Sequence, residues 1–275
     1  MKPSLNAWTV EKSLGMEDTF RALSEAGFKG IELNVDAPGS PHALTMDTTE
    51  EDYEKIRGYI RKYNLPVLSI STSLAQHMSG TPSKHENYRQ LIRKQIEAAK
   101  ALGAKGILTA PAGMEHGITL KGAWDNSLDV FRSIKDEIDE SGIIVGLENT
   151  WKQFFTSPYD MILFLDRLDA KNVGIYLDLG NIIALSEPEW WVEILGERIK
   201  FIHVKDFKRN GGPNTGGYFT DVTEGTANWP VIMKVLKKTG FDGYITGEVF
   251  KSDENMPWDD YYKKVCTQIE SIIAL

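Results

Sequence analysis

Short apolar runs alternate along the chain with longer stretches in which apolar residues recur every three or four positions. The short runs are rich in β-branched residues and are bounded by turn residues, as strands are. They predict strands at residues 4–8, 30–34, 67–71, 106–110, 143–148, 173–178, 200–205 and 243–248. The longer stretches have the period of amphipathic helices. They predict helices at residues 16–27, 49–64, 85–103, 121–142, 157–169, 187–196, 227–240 and 257–275.

Each of the eight predicted strands is followed by a predicted helix, and no linker or change of composition interrupts the alternation. This order predicts an α/β fold of the (β/α)8 TIM-barrel type, formed by a single domain that covers residues 1–275. Glycines follow several of the predicted helices, where a left-handed residue commonly ends a helix. A doubly wound open sheet is the alternative, but no G-x-G-x-x-G motif follows the first strand.

The strand at 173–178 carries an acidic residue in an otherwise apolar run. Its odd-numbered residues are Val, Ile and Leu, which suit the helix-covered outside of a barrel, so Asp178 takes the inner face. The same alternation directs Glu148, His203 and Glu248 inward at the C-terminal ends of three further strands. Active sites of TIM barrels lie at this end of the strands. We therefore expect the four side chains to meet at one arc of the barrel mouth.

Three carboxylates at this spacing repel one another, and an ionised carboxylate that is buried without a partner is costly. A divalent cation removes both problems. Three carboxylates and one imidazole suit Mn²⁺, Mg²⁺ or Co²⁺, and Zn²⁺ is also possible. Each residue alone could be an ordinary turn, cap or core residue. Four such residues on four consecutive strands instead predict one divalent metal ion, bound by Glu148, Asp178, His203 and Glu248.

Six short motifs follow one another in a characteristic order. They are GFKGIELN (27–34), GLEN (146–149), YLDLGN (176–181), IHVKD (202–206), EGTANW (224–229) and GEV (247–249). In these motifs the chain resembles the xylose isomerase-like TIM-barrel superfamily of sugar isomerases and epimerases. That superfamily includes D-tagatose 3-epimerase, L-ribulose-5-phosphate 3-epimerase, hydroxypyruvate isomerase and inosose dehydratase. The ordered set covers most of the chain and is specific for the superfamily rather than for one substrate.

The resemblance implies an enzyme of carbohydrate metabolism, a metal-dependent epimerase or isomerase that acts on a ketose or a ketose phosphate. In the ketose 3-epimerases, the residues that match Glu148, Asp178, His203 and Glu248 bind one divalent metal. The two Glu also exchange protons with C3 from opposite faces, through an enediolate. One departure concerns Asn181, because the free-ketose epimerases have His three residues after the metal-binding Asp. Asn at this position is more similar to the phosphopentulose epimerases.

Three other functions compete with epimerisation. A lyase such as inosose dehydratase begins with the same proton abstraction but expels water. A DNA repair enzyme similar to endonuclease IV needs a trinuclear zinc site with many His, whereas this chain has five His residues and only one on the predicted metal strands. A non-catalytic sugar-binding barrel would have no use for two bases beside a metal.

Further residues are candidates for substrate contact. They are Trp8, Glu32, His77, Trp151, Asn181, Lys205 and Arg209. The two Trp could form an aromatic wall against a sugar face. Lys205 could bind substrate oxygens or phosphate, or form a salt bridge with Asp206, and Glu32 could contact a hydroxyl or be hydrogen-bonded scaffold. Arg209 has the spacing from His203 of a substrate-contacting Arg in the free-ketose enzymes, and the glycine-rich segment 207–225 is a candidate lid.

Composition limits the partners. The formal net charge of −8 opposes non-specific binding of nucleic acid, which needs clustered Lys and Arg. No apolar run approaches the roughly 20 residues that span a bilayer, and the N-terminus lacks the apolar stretch of a signal peptide. The single Cys266 fits a reducing compartment. We therefore expect a cytoplasmic protein with a small-molecule substrate and no membrane partner, and by analogy a homodimer or homotetramer.

Overall fold

Eight parallel strands close a barrel in the computed structural model, which describes residues 1–75, 78–111, 117–151, 154–212 and 214–275. The barrel strands are β1 (Lys2–Asn6), β2 (Ile31–Asn34), β3 (Val67–Ser71), β4 (Gly106–Thr109), β5 (Ile144–Glu148), β6 (Val173–Asp178), β7 (Ile199–Val204) and β10 (Tyr244–Gly247). Two further strands, β8 (Asp206–Arg209) and β9 (Gly217–Thr220), form a separate antiparallel hairpin. Strand β1 pairs with both β2 and β10, which closes the sheet. The predicted TIM barrel is confirmed, and the open-sheet alternative is wrong.

Helices connect the strands and flank the barrel. They are α1 (Met16–Ala26), α2 (Glu50–Tyr63), α3 (His85–Leu102), α4 (Leu120–Ser133), α5 (Lys135–Ser141), α6 (Pro158–Leu168), α7 (Leu179–Ile183), α8 (Pro188–Leu195), α9 (Trp229–Lys238) and α10 (Trp258–Ala274). Thr49 and Ser157 begin α2 and α6 with capping boxes. Gly27, Gly103 and Gly142 end α1, α3 and α5 in the left-handed conformation. Among the helices of the described residues, none has the length and apolar character needed to cross a membrane.

Many element ends differ by one or two residues from the sequence prediction, and helix α7 was not predicted; two differences have a clear local cause. The first strand ends at Asn6 rather than at Trp8, because the Asn6 side chain accepts a hydrogen bond from the Trp8 N–H at 2.7 Å and caps a 3-10 turn. Trp8 therefore lies in that turn and not at a strand end. The predicted helix at 121–142 is divided into α4 and α5, because Ile134 has φ −124° and ψ 10°, outside the helical region.

Side chains of the barrel strands alternate between the interior and the helix-covered outside, as predicted. The odd-numbered residues of β6 belong to the main apolar core. Tyr176, between them, crosses the interior, where its hydroxyl donates a hydrogen bond to Glu32 Oε2 at 2.5 Å. The Phe201 ring of β7 stacks on the Tyr176 ring with centroids 5.0 Å apart. Because Asp178 shares the face of Tyr176, this alternation delivers its carboxylate to the barrel mouth.

The segment 207–225 forms the β8–β9 hairpin, which the strand pattern did not predict. Asp206 anchors its base. One carboxylate oxygen of Asp206 accepts hydrogen bonds from the N–H groups of Phe207 and Ala227 at 2.8 and 3.1 Å, and the other accepts from Trp229 Nε1 at 3.0 Å. The hairpin is therefore fixed to the start of α9 at its root. Its closure as a lid stays a prediction.

Candidate metal centre and active site

Four side chains converge at the C-terminal mouth of the barrel. Glu148 ends β5, Asp178 ends β6, His203 lies near the end of β7, and Glu248 directly follows β10. Their strands are neighbours in the sheet, with His203 in register with Asp178 on one side and with Thr246 on the other. One potential ligand atom from each residue lies within 4.8 Å of the other three. The structure thus brings together the four residues that the sequence predicted as metal ligands.

His203 is oriented so that one ring nitrogen faces the carboxylates. Its Nε2 is hydrogen-bonded to Glu32 Oε1 at 2.7 Å, and both side chains are completely buried. Its Nδ1 lies 3.9 Å from Glu248 Oε2 and has no hydrogen-bond partner in the described part of the chain. A buried imidazole with a carboxylate on its far nitrogen is the usual arrangement of a metal-binding His. The unpartnered nitrogen and the three carboxylates fit a divalent cation.

Glu32 lies beneath this site and does not face the mouth. In addition to His203, it accepts hydrogen bonds from Asn6 Nδ2, Ser69 Oγ and the Tyr176 hydroxyl. Burial would raise the pKa of Glu32, but the positive charge of His203 and the hydrogen bonds from His203, Ser69 and Tyr176 together outweigh it and lower that pKa. In return, Glu32 raises the pKa of His203 to about 9 although burial opposes this. The structure thus places Glu32 as a support of His203, out of reach of a substrate in the mouth.

Asp178 is held by its surroundings on both sides. Its Oδ1 accepts a hydrogen bond from the Asn181 N–H at 2.9 Å, which caps the short helix α7. Its main chain exchanges two hydrogen bonds with the Asn149 side chain, both 2.8 Å long. Asn149 follows Glu148 in the GLEN motif, so the position was visible in the sequence although its role was not. The remaining oxygen, Oδ2, faces the other charged groups.

Lys205 supplies a positive charge to the cluster. Its Nζ donates hydrogen bonds to Asp178 Oδ2 and Glu248 Oε2, and the residue is only 5% exposed. The two carboxylates raise the pKa of Lys205 even though burial would lower it. The sequence suggested Asp206 as an alternative partner, but Asp206 is occupied at the base of the hairpin. The actual partners come from two other strands.

The carboxyl groups of the cluster have different pKa values. Burial, together with the charges of Glu248 and Asp178, raises the pKa of Glu148 to about 8. Burial would also raise the pKa of Glu248, but Lys205 and His203 outweigh it and lower that pKa. Burial raises the pKa of Asp178, and Lys205 offsets part of this effect. Without a bound cation, therefore, Glu148 binds its proton more tightly than Glu248 does.

A cavity of about 90 Å³ opens above the cluster, lined by both Glu148 and Glu248. Trp8 forms one wall and is fixed by a 2.6 Å hydrogen bond from its Nε1 to Asp36 Oδ2. Asp36 also accepts hydrogen bonds from the N–H and the hydroxyl of Ser73. The carboxylate therefore joins the loops that follow β1, β2 and β3. An aromatic wall beside paired carboxylates is suited to stacking on a sugar face.

The other predicted substrate residues are placed differently. Trp151 lies at the rim of the cavity and is 68% exposed, and Asn181 lines it beside Glu148. Arg209 points away from the mouth. Its guanidinium donates to Glu187 Oε1 at 2.8 Å and to two main-chain carbonyls before α8 at 2.6 Å, and its contact with a substrate stays a prediction. His77 lies outside the described residues.

Comparisons with curated proteins identify distant relatives. The chain is 27% identical over 176 residues to an uncharacterised protein of Methanocaldococcus jannaschii, and this alignment covers 60% of this chain and 59% of that protein. It is 32% identical over 117 residues to 3-oxo-isoapionate decarboxylase of Pectobacterium atrosepticum, covering 42% and 40%. The matches thus span less than two thirds of the length of these two relatives. Inosose dehydratase of Lacticaseibacillus casei is 23% identical over 277 residues, covering 88% of this chain and 86% of that protein.

Solved structures share the fold over nearly the whole chain. The IolI protein with a bound zinc atom has a TM-score of 0.82 at 18% identity, covering 100% of this chain and 98% of that one. The apo 3-keto-D-glucoside 4-epimerase of E. coli has a TM-score of 0.79 at 18% identity, covering 98% and 99%. D-allulose 3-epimerase from Methylomonas sp., in complex with D-allulose, has a TM-score of 0.75 at 17% identity, covering 100% and 96%.

A family model described as xylose isomerase-like TIM barrel matches residues 20–271. This range contains all four converging residues of the barrel mouth. The family and the enzymes named above agree with the closed barrel described here. The chain therefore belongs to the xylose isomerase-like TIM barrel family.

Proposed function

We propose that this protein is a divalent-metal-dependent epimerase or isomerase of a ketose or a ketose phosphate. One of Glu148 and Glu248 would remove the proton beside the substrate carbonyl, and the other would return a proton to the same carbon. One observation carries the proposal: these two carboxyl groups line one cavity, at the mouth where the four potential metal ligands converge. Two carboxyl groups at one reacting carbon can serve as a base and an acid.

One of the two Glu, as a carboxylate, would remove the proton from the carbon beside the carbonyl. The other, in its protonated form, would return a proton to the same carbon from the other side, which inverts it. Positioned groups of this kind typically contribute 10²- to 10⁴-fold to a rate. A divalent cation held by Glu148, Asp178, His203 and Glu248 would stabilise the negative charge that develops on the substrate oxygen. The Trp8 wall orients the sugar ring against the two carboxylates.

The relatives support this chemistry by analogy. Two of the similar structures are of epimerases that act on sugars, and a third holds zinc. The three carboxylates and one imidazole suit Mn²⁺, Mg²⁺ or Co²⁺ as well as Zn²⁺. As in the sequence interpretation, we expect a homo-oligomer in the cytoplasm. Size-exclusion chromatography with light scattering tests the oligomer.

A dehydratase is the second candidate. Inosose dehydratase is similar over 88% of this chain, and its reaction would begin with the same proton abstraction. In that reaction one of Glu148 and Glu248, in its protonated form, would protonate the departing hydroxyl instead of a carbon. The two candidates differ in the mass of the product, because only dehydration releases water.

The test incubates Mn²⁺-loaded protein in D₂O with a panel of ketoses, pentulose phosphates and inososes. We expect deuterium to enter at one carbon of one compound, with the substrate skeleton intact, as followed by NMR and mass spectrometry. A product lighter by one water would favour the dehydratase. EDTA-treated protein is the control and should be inactive. If the metal-loaded protein exchanges no proton of any compound in the panel, the proposed chemistry is refuted.

A further inference from the structure

We propose that Lys205 is an internal counter-ion that competes with the divalent cation for Asp178 and Glu248. Loading of the metal then requires displacement of the Lys205 ammonium group. The inference rests on the proposed function, because it concerns the ion which that function needs. It assigns to Lys205 a positioning role that acts on the metal through the two carboxylates.

The two oxygens of Asp178 are not equivalent. Oδ1 is occupied by the N–H of Asn181, which is fixed because it begins α7. Oδ2 is therefore the oxygen that can turn to a cation, and it is the oxygen to which Lys205 Nζ donates. On the other side, the same Nζ donates to Glu248 Oε2, the oxygen 3.9 Å from the unpartnered His203 Nδ1. The ammonium group thus uses the oxygens that point to the centre of the cluster.

The surroundings of Lys205 are shaped for its side chain. A Cβ atom at Gly180 would lie 2.2 Å from Lys205 Cγ and 2.8 Å from the Lys205 carbonyl oxygen, so only glycine leaves room for the stem. The ring of Phe219 covers the ammonium group, with its centroid 5.4 Å from Nζ, a cation–π distance. The stem is thereby confined between α7 and the hairpin. The ion pair has a prepared position and is not a chance contact of a long surface side chain.

Two cations cannot share these oxygens without strong mutual repulsion, because the low-dielectric interior screens it weakly. Lys205 should therefore stabilise the protein before metal loading, when it neutralises the carboxylates. The same ion pair should weaken metal binding. A lysine with a merely structural role would not produce these two effects of opposite sign, since its loss would impair both folding and metal binding.

The experiment compares the full-length wild type with Lys205→Met and with the matched control Lys208→Met, which removes an exposed lysine of the hairpin. All three are treated with EDTA and then titrated with Mn²⁺ in a calorimeter, and their melting temperatures are measured before and after loading. We expect Lys205→Met to bind Mn²⁺ at least roughly fivefold more tightly, the low end of coupling between two binding events. Its metal-free form should melt at a lower temperature. Lys208→Met should match the wild type in both measurements.

A variant that keeps the charge provides the second arm, in case Lys205→Met does not fold. Lys205→Arg should bind Mn²⁺ no more tightly than the wild type. If Lys205→Met, or Lys205→Gln in its place, binds Mn²⁺ as the wild type does or more weakly, the counter-ion role is overturned while the metal site stands. If neither the wild type nor the variants bind Mn²⁺, both this inference and the proposed metal dependence fail.

Discussion

Replacement of Glu32 by Gln tests whether the site depends on the buried group beneath it. Glu32 accepts hydrogen bonds from four donors, one of which is His203 Nε2 at 2.7 Å. Gln keeps the size and one acceptor oxygen but loses the negative charge. The hydroxyls of Ser69 and Tyr176 can turn to accept hydrogen bonds from the new amide group, so the amide oxygen should stay with His203. The main loss is then the attraction between Glu32 and His203.

The size of this loss follows from the burial of both side chains, neither of which has any exposed surface. Removal of one partner of a buried ion pair typically costs about 3 kcal/mol of unfolding free energy or more. Loss of the carboxylate behind a metal-binding His typically weakens metal binding about 10- to 100-fold. With Glu32 gone, burial is opposed only by the charges of Glu248 and Glu148, and the pKa of His203 should fall from about 9.

Calorimetric titration with Mn²⁺ measures the affinity, urea denaturation measures the stability, and NMR of the imidazole nitrogens in metal-free protein measures the pKa of His203. Glu254→Gln is the control, because Glu254 is exposed and its carboxylate should not affect the site. An unchanged Mn²⁺ affinity together with an unchanged pKa of His203 in Glu32→Gln would refute the view that Glu32 orients and charges this histidine.

Three further outcomes are expected. Glu148→Gln and Glu248→Gln should each lower kcat at least roughly 10²-fold, the low end for a positioned proton-transfer group. The metal content of each variant is measured in parallel and must stay high. A metal-loaded variant that inverts substrate at the wild-type rate would exclude that residue as an acid or base. In EDTA-treated protein, the native state keeps protons on Glu148 up to about pH 8 and on His203 up to about pH 9, beyond the ordinary pKa values of 4.5 and 6.5. The native state then binds more protons than the unfolded state, so the unfolding free energy should fall between pH 6.5 and 8 by on the order of 1–3 kcal/mol per pH unit. A flat or rising urea midpoint over this range would contradict the pKa directions. Arg209→Met should lower the unfolding free energy by about 1–3 kcal/mol through lost hydrogen bonds and leave KM unchanged, since Arg209 binds Glu187 and main-chain carbonyls. A raised KM would instead show that Arg209 contacts the substrate.

The sequence was sufficient to predict the barrel and the convergence of the four candidate metal ligands, because both depend on local rules. The two-residue alternation of β6 determines which side chains face inward, and equivalent positions on parallel strands meet at one end. Asp178 and His203 could therefore be placed side by side without coordinates. The same rules placed Glu32 on the inner face but could not show that it lies below the mouth. Its depth depends on the register of β2 against its neighbours.

Other features depended on contacts that no periodicity encodes. The partners of Lys205 come from two other strands, so only the assembled barrel shows that they are Asp178 and Glu248 rather than Asp206. The direction of Arg209 is determined by the β8–β9 hairpin, whose strands have only four residues each and are joined by a glycine-rich connection, so they do not stand out in the sequence. The end of β1 was displaced because one side chain, that of Asn6, ends the strand early by capping a turn.

The link that Asp36 makes between three loops has a consequence for the thermodynamics of recognition. Asp36 immobilises the Trp8 ring and the Ser73 loop in the folded protein. The conformational entropy of these groups is therefore already lost when the protein folds, and ligand binding does not have to order them. The hairpin that follows β7 carries the half-exposed Phe219, and its tip is held only by main-chain contact, a hydrogen bond from the Asn214 N–H to the Ala184 carbonyl at 3.4 Å among those of the described residues. Changes of ligand preference among related chains should therefore accumulate on the hairpin side, where a new side chain does not disturb a shared anchor.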